Sequence, residues 1–323
     1  MAKKNVLIVD AIHQKGLEVF ENNGYKVWSL SNKDQTSIID ALSNDIDAVV
    51  VRTSKINSAM MDAAPGLKII GRHGTGLDNI DVAYATEKGI AVVNTPHANT
   101  MSVVEYVIGA VFWFAKGFLY CDQKVKQGEW SFRESFQPVE VQGQTIGVVG
   151  FGGIGRETSR LMKALGLNVL VYDPYVDTNT PVPEYVTVVE ELSELLQASD
   201  YVTLHVPLTE QTKNLIAMDE LKLMKNDAIL INGARGGVVS EEDLSTALRE
   251  KVIRGAAVDV FEKEPPDSDN PLFGHDNAVL TPHNCSLTEA AKVKAATTVA
   301  REIVNYTNGD TPEFIVNPEV ITR

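Results

Sequence analysis

The sequence predicts an α/β protein built from two doubly wound parallel sheets. Short apolar segments alternate with helical stretches along nearly the whole chain of 323 residues, which is the pattern of parallel strands joined by helices. A chain of this length is long enough to bury two separate cores. A glycine-rich turn, GFGGIG at residues 150–155, follows one of the apolar segments near the middle of the chain, and we expect the second sheet to begin there.

The strands of the first predicted sheet precede residue 100, and those of the second follow residue 143. The first group is expected at residues 6–9, 26–28, 48–51, 67–70 and 91–93. The second group is expected at residues 145–149, 169–172, 201–204, 228–231, 255–258 and 278–280. Each half of the chain therefore has enough strands for a sheet of its own.

Charge and composition exclude several classes of partner. The net charge of −14 argues against nucleic acids and anionic membranes, because both are negatively charged. Cys121 and Cys285 make no disulfide framework, which favours a reducing cytoplasm. The apolar segment at residues 103–120 is nearly long enough to span a bilayer, but Glu105 and Lys116 interrupt it. We therefore expect a helix buried between domains or subunits.

The glycine-rich turn is typical of a dinucleotide site. Gly150, Gly152 and Gly155 have the G-x-G-x-x-G spacing between a predicted strand and a helix, where the helix N–H groups bind a pyrophosphate. Asp173 lies 18 residues after Gly155 at the end of the next strand, and an acid there binds the ribose hydroxyls. Its charge would repel the extra phosphate of NADP, which favours NAD. A glycine turn with an unrelated acid is the alternative.

The late start of this turn predicts an inserted domain. We expect residues 1–98 with 290–323 to form a substrate (catalytic) domain, and residues 99–289 to form an NAD-binding domain. A helical segment from about residue 287 to residue 306 would return the chain to the first domain. The two crossings would then form a hinge over a cleft, and closure would exclude water.

Polar residues just beyond three predicted strands of the second half are candidates for chemistry. They lie in the stretches ILINGARGG, AAVDVFEKEPP and VLTPHNCS. Ligands of open α/β sheets gather at the carboxyl ends of strands. We therefore expect Arg235, Asp259, Glu264 and His283 to lie within reach of one another.

Three of these residues supply what the reduction of a 2-keto acid requires. A histidine such as His283 can give a proton to the alkoxide that hydride transfer forms. A carboxylate such as Glu264 favours the charged imidazolium and orients it. An arginine such as Arg235 can bind a substrate carboxylate through two hydrogen bonds. Each residue alone has an ordinary structural alternative: a histidine in a turn, a solvated acid, or an arginine that caps a helix.

These stretches and others resemble one protein family. VRTSKI, GRHGTGLDNIDV, KGIAVVNTPHANTMSVVE, GVVGFGGIG, LHVPLTEQTKNLI, INGARGG, VDVFEKEP and TPHNCSLTEA occur in this order over residues 49–291. The set is similar to the D-isomer-specific 2-hydroxyacid dehydrogenases, and particularly to the branch that contains D-3-phosphoglycerate dehydrogenase. The resemblance implies a Rossmann NAD-binding domain inserted into a flavodoxin-like substrate domain.

The resemblance also implies roles for single residues. His283 would be the acid/base, Glu264 its partner and Arg235 the residue that orients the substrate, while Asp259 would contact the nicotinamide carboxamide. The cofactor would be lined by Thr75, Gly150, Gly152, Gly153, Ile154, Gly155, Asp173, His205, Val206, Pro207, Thr212, Gly233, Ala234, Arg235, Asp259 and His283. The substrate would be lined by Arg52, Thr53, His73, Gly74, Thr75, Gly76, Asn99 and Arg235. Arg52 would bind a phosphate or a second carboxylate; a surface ion pair is its structural alternative.

Three departures from the family pattern bear on the substrate. His73 stands where many relatives carry a small residue, and Asn284 and Cys285 replace glycines that often follow the catalytic histidine. The chain also stops near Arg323, so we expect a short form without the C-terminal regulatory domain and without serine feedback. No metal is expected, because the histidines outside the site, His13, His97 and His275, lack metal-ligand spacing.

The sequence therefore predicts a cytoplasmic, NAD-dependent D-2-hydroxyacid dehydrogenase that forms a homodimer through the helix around residues 101–120. Its substrate is a small 2-hydroxy or 2-keto acid; phosphoglycerate, hydroxypyruvate, glyoxylate and branched 2-keto acids stay open. One alternative is an NAD(H)-binding corepressor-like interaction protein with the same fold. Another is a formate dehydrogenase, a branch that pairs its histidine with Gln, so Glu264 speaks against it.

Overall fold

The computed structural model describes residues 4–176 and 181–321. The chain forms two compact units, and the middle of the chain makes up one of them. The first unit consists of Met1–Asn99 and Leu287–Arg323, and the second unit consists of Thr100–Ser286. These limits differ from the predicted ones by one residue at the first crossing and by three residues at the second.

Twelve strands and eleven α-helices make up the two units over the described residues. The strands are β1 (Asn5–Ile8), β2 (Lys26–Ser29), β3 (Ala48–Val51), β4 (Ile69–Arg72), β5 (Ala91–Val93), β6 (Thr145–Val149), β7 (Asn168–Tyr172), β8 (Val186–Val188), β9 (Tyr201–Leu204), β10 (Ile229–Asn232), β11 (Gly255–Val258) and β12 (Ala278–Leu280). The helices are α1 (Gln14–Asn22), α2 (Gln35–Leu42), α3 (Ser58–Asp62), α4 (Val82–Glu87), α5 (Thr100–Lys116), α6 (Phe118–Lys126), α7 (Gly153–Ala164), α8 (Leu192–Ala198), α9 (Met218–Leu223), α10 (Glu241–Arg249) and α11 (Glu289–Asn308).

The first unit contains a parallel sheet of order β2-β1-β3-β4-β5. Its central strands are continuous apolar runs such as AVVV in β3, every residue of which is buried, because helices cover both faces. Helix α11 packs on this sheet, where a Cβ on Gly71 would lie 2.5 Å from a methyl group of Val299. The strand order reverses between β1 and β3, as in flavodoxin-like domains.

The second unit contains a parallel sheet of order β12-β11-β10-β9-β6-β7-β8. The order reverses between β6 and β9, which is the arrangement of a Rossmann domain with one further strand. Together the two sheets confirm the predicted α/β fold class. In both sheets the switch point, where the order reverses, is where ligands of such folds bind.

The apolar segment predicted to be a buried helix forms α5 and is then interrupted. Its inward side chains, among them Val103, Val107 and Val111, are buried, and the helix lies against α7 and β10. Among the described helices, none taken singly has the length and apolar character of a membrane span. Taken together, α5 and α6 are long and apolar enough for a span, but the two helices are bent by 47° relative to each other.

Most strand limits agree with the predictions to within one residue, but two differences are larger. The strand expected at residues 67–70 is β4, shifted toward the carboxyl end, because the N–H group of Leu67 closes a turn onto Ala64 at 3.0 Å. Strand β8 was not predicted, because only Val186 of its three residues is buried and the segment has no apolar run.

Candidate active site

The glycine turn after β6 allows two close backbone approaches. Gly150 has a φ of 95°, and a Cβ there would lie 2.7 Å from the carbonyl oxygen of His205. A Cβ on Gly155 would lie 2.0 Å from the carbonyl oxygen of Gly150. Larger residues are therefore excluded from both positions, and the first turn of α7 lies directly against the end of β6.

The surroundings of Gly152 fit a bound pyrophosphate. Apart from Gly152 itself and its two chain neighbours, no heavy atom of the described residues lies within 4 Å of the position that a Cβ on Gly152 would take. Gly152 is the N-cap of α7 and has no side chain that could cap it, and α7 begins with the predicted contacts Gly153 and Ile154. A helix amino terminus offers N–H groups to an anion, and the open space beside Gly152 lets a dinucleotide reach them.

Asp173 follows β7 and is held by two backbone N–H groups. Phe151 donates to its Oδ2 at 2.7 Å, and Tyr175 donates to its Oδ1 at 2.8 Å. Each carboxylate oxygen has a further lone pair, and Asp173 is half-buried, so it can also accept hydrogen bonds from ribose hydroxyls. The bond to Phe151 sets the acid beside the glycine turn.

His205 lies on the other side of the switch point, directly after β9. Its N–H group donates to the carbonyl oxygen of Val149 at 2.7 Å, and its Nε2 lies 3.2 Å from Thr203 Oγ1. Burial lowers the pKa of His205 to about 4, so the ring is neutral near pH 7. Beyond the half-buried Val206, Thr212 closes a turn by donating to the carbonyl oxygen of Pro207 at 2.6 Å.

His283 and Glu264 form a hydrogen-bonded pair. Nδ1 of His283 lies 2.7 Å from Oε2 of Glu264, and 42% and 37% of the two side-chain surfaces are exposed, so a small molecule can reach them. The other carboxylate oxygen of Glu264 accepts the N–H group of Phe261 at 3.1 Å. Because a carboxylate only accepts, Nδ1 carries the hydrogen, which leaves Nε2 to give or take a proton.

Asp259 directly follows β11 and holds the turn that carries His283. The N–H groups of Asn284 and Cys285 donate to its carboxylate oxygens at 3.0 and 2.9 Å, and Thr281 Oγ1 donates to it at 2.5 Å. The N–H group of His283 donates to the Asp259 carbonyl oxygen at 2.8 Å. His283 has a φ of 49°, so this left-handed conformation is stabilised by bonds on both sides of it.

The same network leaves Asp259 with no exposed surface. A contact with the nicotinamide carboxamide stays a prediction, and it requires the residues around the carboxylate to move. Tyr106 of α5 extends the network, since its hydroxyl oxygen lies 3.2 Å from Thr281 Oγ1. Burial raises the pKa of Tyr106, so its side chain is a neutral phenol.

Arg235 lies in the loop after β10, and a glycine brings this loop against the one that carries Glu264. A Cβ on Gly236 would lie 1.8 Å from the carbonyl oxygen of Phe261, so no larger residue fits there. The Arg235 guanidinium donates to the Ala234 carbonyl oxygen at 2.7 Å. The sequence motif contains Gly236, but its packing role was not predicted, because the facing residue is distant in sequence.

Cys285 is a packed thiol beside the same loop. It is 6% exposed, and its Sγ lies 3.8 Å from the carbonyl oxygen of Gly233. Burial raises the pKa of the Cys285 thiol, as does the neighbouring Asp259, while the charge of Arg235 opposes them. The thiol is therefore protonated near pH 7, which is not the state of a reactive cysteine.

The substrate residues predicted near β3 are held by an acid that the sequence reasoning missed. Arg52 and Thr53 follow β3, and their N–H groups donate to Oδ2 of Asp10 at 2.8 and 2.9 Å. Asp10 comes after β1, just as Asp173 comes after β7. Both residues could have been found as an acid that follows an apolar run. Only Asp173 was singled out, because it also comes after a glycine-rich dinucleotide turn.

The other predicted substrate residues of the first unit lie after β4 and β5. Thr75 is exposed, and its Oγ1 lies 3.4 Å from Asn99 Oδ1; Gly74 and Gly76 flank it and are half-buried. His73 is 7% exposed, and its Nε2 has no hydrogen-bond partner among the described residues. Burial lowers the pKa of His73 to about 4, and nearby arginine charges lower it further.

The predicted residues are thus divided between the two units. The loops of Arg235, Glu264 and His283 meet in the second unit, which also contains the glycine turn and Asp173. In the first unit, Arg52 and Thr53 share one loop, and Thr75 lies beside Asn99. Sequence reasoning missed the residues that hold these loops, namely Asp10, Tyr106, Gly236 and Thr281.

Comparison with known proteins places the chain in a family. Residues 108–285 match the model of the D-isomer specific 2-hydroxyacid dehydrogenase, NAD binding domain. This match confirms the predicted nicotinamide cofactor, and the glycine turn and Asp173 lie inside the matched segment.

Two curated relatives and one solved structure extend the likeness beyond that domain. A D-3-phosphoglycerate dehydrogenase of Methanocaldococcus jannaschii is 40% identical over 313 residues, 97% of this chain and 59% of that protein, so the chain spans little more than half of its length. A glyoxylate reductase of Thermococcus onnurineus is 38% identical over 327 residues, covering 99% of this chain and 97% of the relative.

The solved structure is an NADPH-dependent glyoxylate/hydroxypyruvate reductase from Sinorhizobium meliloti, in complex with NADP and malonate. It is 28% identical, has a TM-score of 0.84, and the superposition covers 98% of this chain and 97% of that one. The likeness therefore includes both units. The chain belongs to the D-isomer-specific 2-hydroxyacid dehydrogenase family, as the sequence motifs predict.

Proposed function

We propose that this protein is an NAD-dependent dehydrogenase that interconverts a D-2-hydroxy acid and the corresponding 2-keto acid. The observation that carries the proposal is the hydrogen bond of 2.7 Å between His283 and Glu264. It lies in a unit that matches an NAD-binding domain, beside a loop with an arginine. These groups are what hydride transfer to a keto acid requires from the protein.

In the reduction, a nicotinamide cofactor held by the glycine turn and Asp173 would supply the hydride that C2 of the keto acid receives. As the carbonyl oxygen gains negative charge, Nε2 of His283 gives it a proton, and the hydroxy acid forms. Glu264 stabilises the imidazolium before the transfer and keeps the ring oriented through Nδ1. Arg235 binds the substrate carboxylate and holds C2 in place. In the oxidation, neutral His283 takes the hydroxyl proton.

The two units have separate tasks in this proposal. The second unit, Thr100–Ser286, binds NAD, and the first unit, Met1–Asn99 with Leu287–Arg323, binds the substrate. The glycine turn, α7 and Asp173 support the first assignment. The loop with Arg52 and Thr53 supports the second, because it lies at the carboxyl end of β3 beside the switch point of its sheet.

Asp173 supports NAD over NADP, because its carboxylate would repel a 2′-phosphate. Asp173→Ser removes that charge and should improve kcat/KM with NADPH about tenfold relative to NADH. Asp219→Ser, which removes an acid on α9 of the same unit, serves as the control. An unchanged cofactor preference in Asp173→Ser would count against the ribose assignment.

The substrate is a small 2-keto acid. The relatives named above reduce or oxidise glyoxylate, hydroxypyruvate and 3-phosphoglycerate according to their names, and Arg52 suits a second anionic group. The test is NADH oxidation with glyoxylate, hydroxypyruvate, phosphohydroxypyruvate and a branched 2-keto acid. Turnover of at least one supports the proposal. Formate-dependent NADH formation, or peptide binding without any turnover, would instead favour the alternative functions.

We also propose a homodimer through the region around α5 and α6, and a cytoplasmic location. Seven of the fifteen exposed large hydrophobic residues of the described chain lie between residues 101 and 130, namely Met101, Trp113, Phe118, Leu119, Tyr120, Val125 and Trp130. Exposed apolar residues concentrated in one segment of a chain favour an interface with another subunit. Phe118→Asp should yield monomers in sedimentation, whereas Phe273→Asp, at another exposed phenylalanine, should not.

A further inference from the structure

Asp10 occupies the switch point of the first unit's sheet. It follows β1, and residues 52–54 follow β3, so the acid and this loop lie where the strand order reverses. In open α/β sheets a ligand usually binds in the crevice at this point. Here the chain's own carboxylate lies at this point, and Asp10 has no exposed surface.

One oxygen of Asp10 accepts three successive backbone N–H groups. Arg52, Thr53 and Ser54 donate to Oδ2 at 2.8, 2.9 and 2.9 Å. The Ser54 hydroxyl donates to Oδ1 at 3.0 Å, and Nζ of Lys33 lies 3.2 Å from the same oxygen. Consecutive N–H groups that converge on one anion form a concave nest, so the carboxylate determines the backbone of the loop.

The carboxylate is charged at every pH at which the protein would work. Burial alone would raise the pKa of Asp10, but the N–H groups of Ser54, Arg52 and Thr53 hold it well below its usual range. The loop is thus held by charge-assisted hydrogen bonds, which are about twice as strong as neutral ones.

This arrangement keeps Asp10 from pairing with the side chain that it positions. Nε of the Arg52 guanidinium is buried and has no hydrogen-bond partner among the described residues. Nε2 of the neighbouring His73 is likewise buried without a described partner. A buried donor without a partner is costly, and an anionic ligand would accept a hydrogen bond from Nε of Arg52.

We propose that Asp10 is a positioning residue for substrate binding: it holds residues 52–54 so that Arg52 faces the anionic substrate without being neutralised. The inference rests on the proposed function of the first unit. It assigns Asp10 no contact with substrate or cofactor and no part in hydride transfer. Loss of the Asp10 charge should therefore raise KM for the keto acid and leave binding of NADH unchanged.

The experiment compares Asp10→Asn with Asp47→Asn in the full chain. Asp47 connects the same two strands at their opposite ends, where it accepts Asn5 N–H at 2.8 Å and lies 2.7 Å from Lys68 Nζ. Both variants lose a carboxylate that joins β1 to β3, so both should lose stability. Only Asp10→Asn should raise KM, by about tenfold, with kcat changed less than about twofold, for the keto acid that the wild-type protein reduces fastest.

Hydrogen exchange of the Arg52–Ser54 amides gives a readout that does not depend on activity. These amides should exchange faster in Asp10→Asn and at the wild-type rate in Asp47→Asn. If Asp10→Asn does not fold, Ser54→Ala replaces it and should raise KM about threefold, in line with the loss of one hydrogen bond. An unchanged KM in the folded variant, or an equal rise in Asp47→Asn, would overturn the inference. A wild-type protein without turnover would contradict the proposed function itself.

Discussion

Two buried aspartates, Asp10 in the first unit and Asp259 in the second, hold loops in the same way. Each follows one parallel strand and accepts N–H groups from the loop after the adjacent strand, β3 beside β1 and β12 beside β11. The loops differ in how the side chain is held. His283 is fixed through its backbone by Asp259 and through its ring by Glu264. Arg52 is held by the described residues through its backbone, by the bond from its N–H group to Asp10.

The difference agrees with the tasks proposed for the two loops. Proton transfer requires the imidazole to stay within hydrogen-bond reach of the substrate oxygen, so a second bond that orients the ring is useful. An arginine acts on an anion through charge and several donors, so its long side chain can adjust to the ligand. A fixed backbone is common to both loops; a fixed side chain is needed only for the proton.

Replacing His283, which is held through both its backbone and its ring, should have the largest effect on turnover. His283→Asn removes the proton donor and should lower kcat by about 10²-fold or more, while the affinity for NADH, measured by fluorescence titration, stays within about twofold. His275→Asn is the control, because His275 bonds Ser245 at 2.9 Å in the same unit and has no assigned role. Wild-type turnover in His283→Asn would contradict the proposed mechanism.

Removing only the negative charge beside the ring should have a smaller effect. Glu264→Gln keeps the shape but loses the charge that stabilises the imidazolium, and kcat should fall about tenfold with little change in KM. Glu262→Gln removes a carboxylate two residues away that accepts the Glu241 N–H group at 3.1 Å. If both variants gave the same kcat, the pair with His283 would have no role of its own.

Arg52→Gln should change binding and leave the chemical step intact. We expect KM to rise several-fold for a keto acid with a second anionic group, and less for glyoxylate, because only the former would meet the Arg52 charge. Lys55→Gln removes a neighbouring exposed charge from the same region. An equal rise for both substrates would argue that Arg52 binds no second anion.

The smallest effect concerns pH, because each unit contains one histidine with a lowered pKa. Burial lowers the pKa of His73 and that of His205 to about 4. As the pH falls, both histidines therefore take up a proton in the unfolded chain before they do so in the folded protein. Their contribution to the free energy of unfolding is fully present above about pH 6.5 and is lost as the pH falls toward 4. Each histidine should contribute a slope of up to about 1.4 kcal/mol per pH unit in this window.

Urea unfolding between pH 7 and pH 4.5 measures this slope. Replacing either histidine, as in His73→Leu or His205→Gln, should reduce the slope of the unfolding free energy with pH. His97→Gln should leave the slope unchanged, because His97 is exposed. A wild-type midpoint that stays constant from pH 7 to pH 5 would contradict the burial of both rings.

The sequence predicted elements and residues that depend on local patterns. The strands at residues 48–51, 145–149 and 255–258 have the expected limits, because buried parallel strands are continuous apolar runs. The pairing of Glu264 with His283 was also expected, since both follow adjacent strands. Strand β8 was missed, because its exposed Thr187 and Val188 give no such run.

The residues that hold the loops could not be predicted in the same way. Asp10 bonds to N–H groups 42 to 44 positions away, and a bond to a backbone N–H group imposes no residue type on its partner. Asp259 was expected at the cofactor from the family resemblance, but its carboxylate is used inside the turn. Such contacts follow from the approach of neighbouring strands, which only the three-dimensional structure contains.

The most direct test of the account is where the hydride goes. The wild-type protein would reduce whichever 2-keto acid other than glyoxylate it turns over fastest, because glycolate has no D or L form. The NADH would carry two deuterium atoms at C4, and the product would be examined by mass spectrometry and chiral chromatography. The account predicts one deuterium at C2 and the D configuration. A product without deuterium at C2, or with the L configuration, would contradict it.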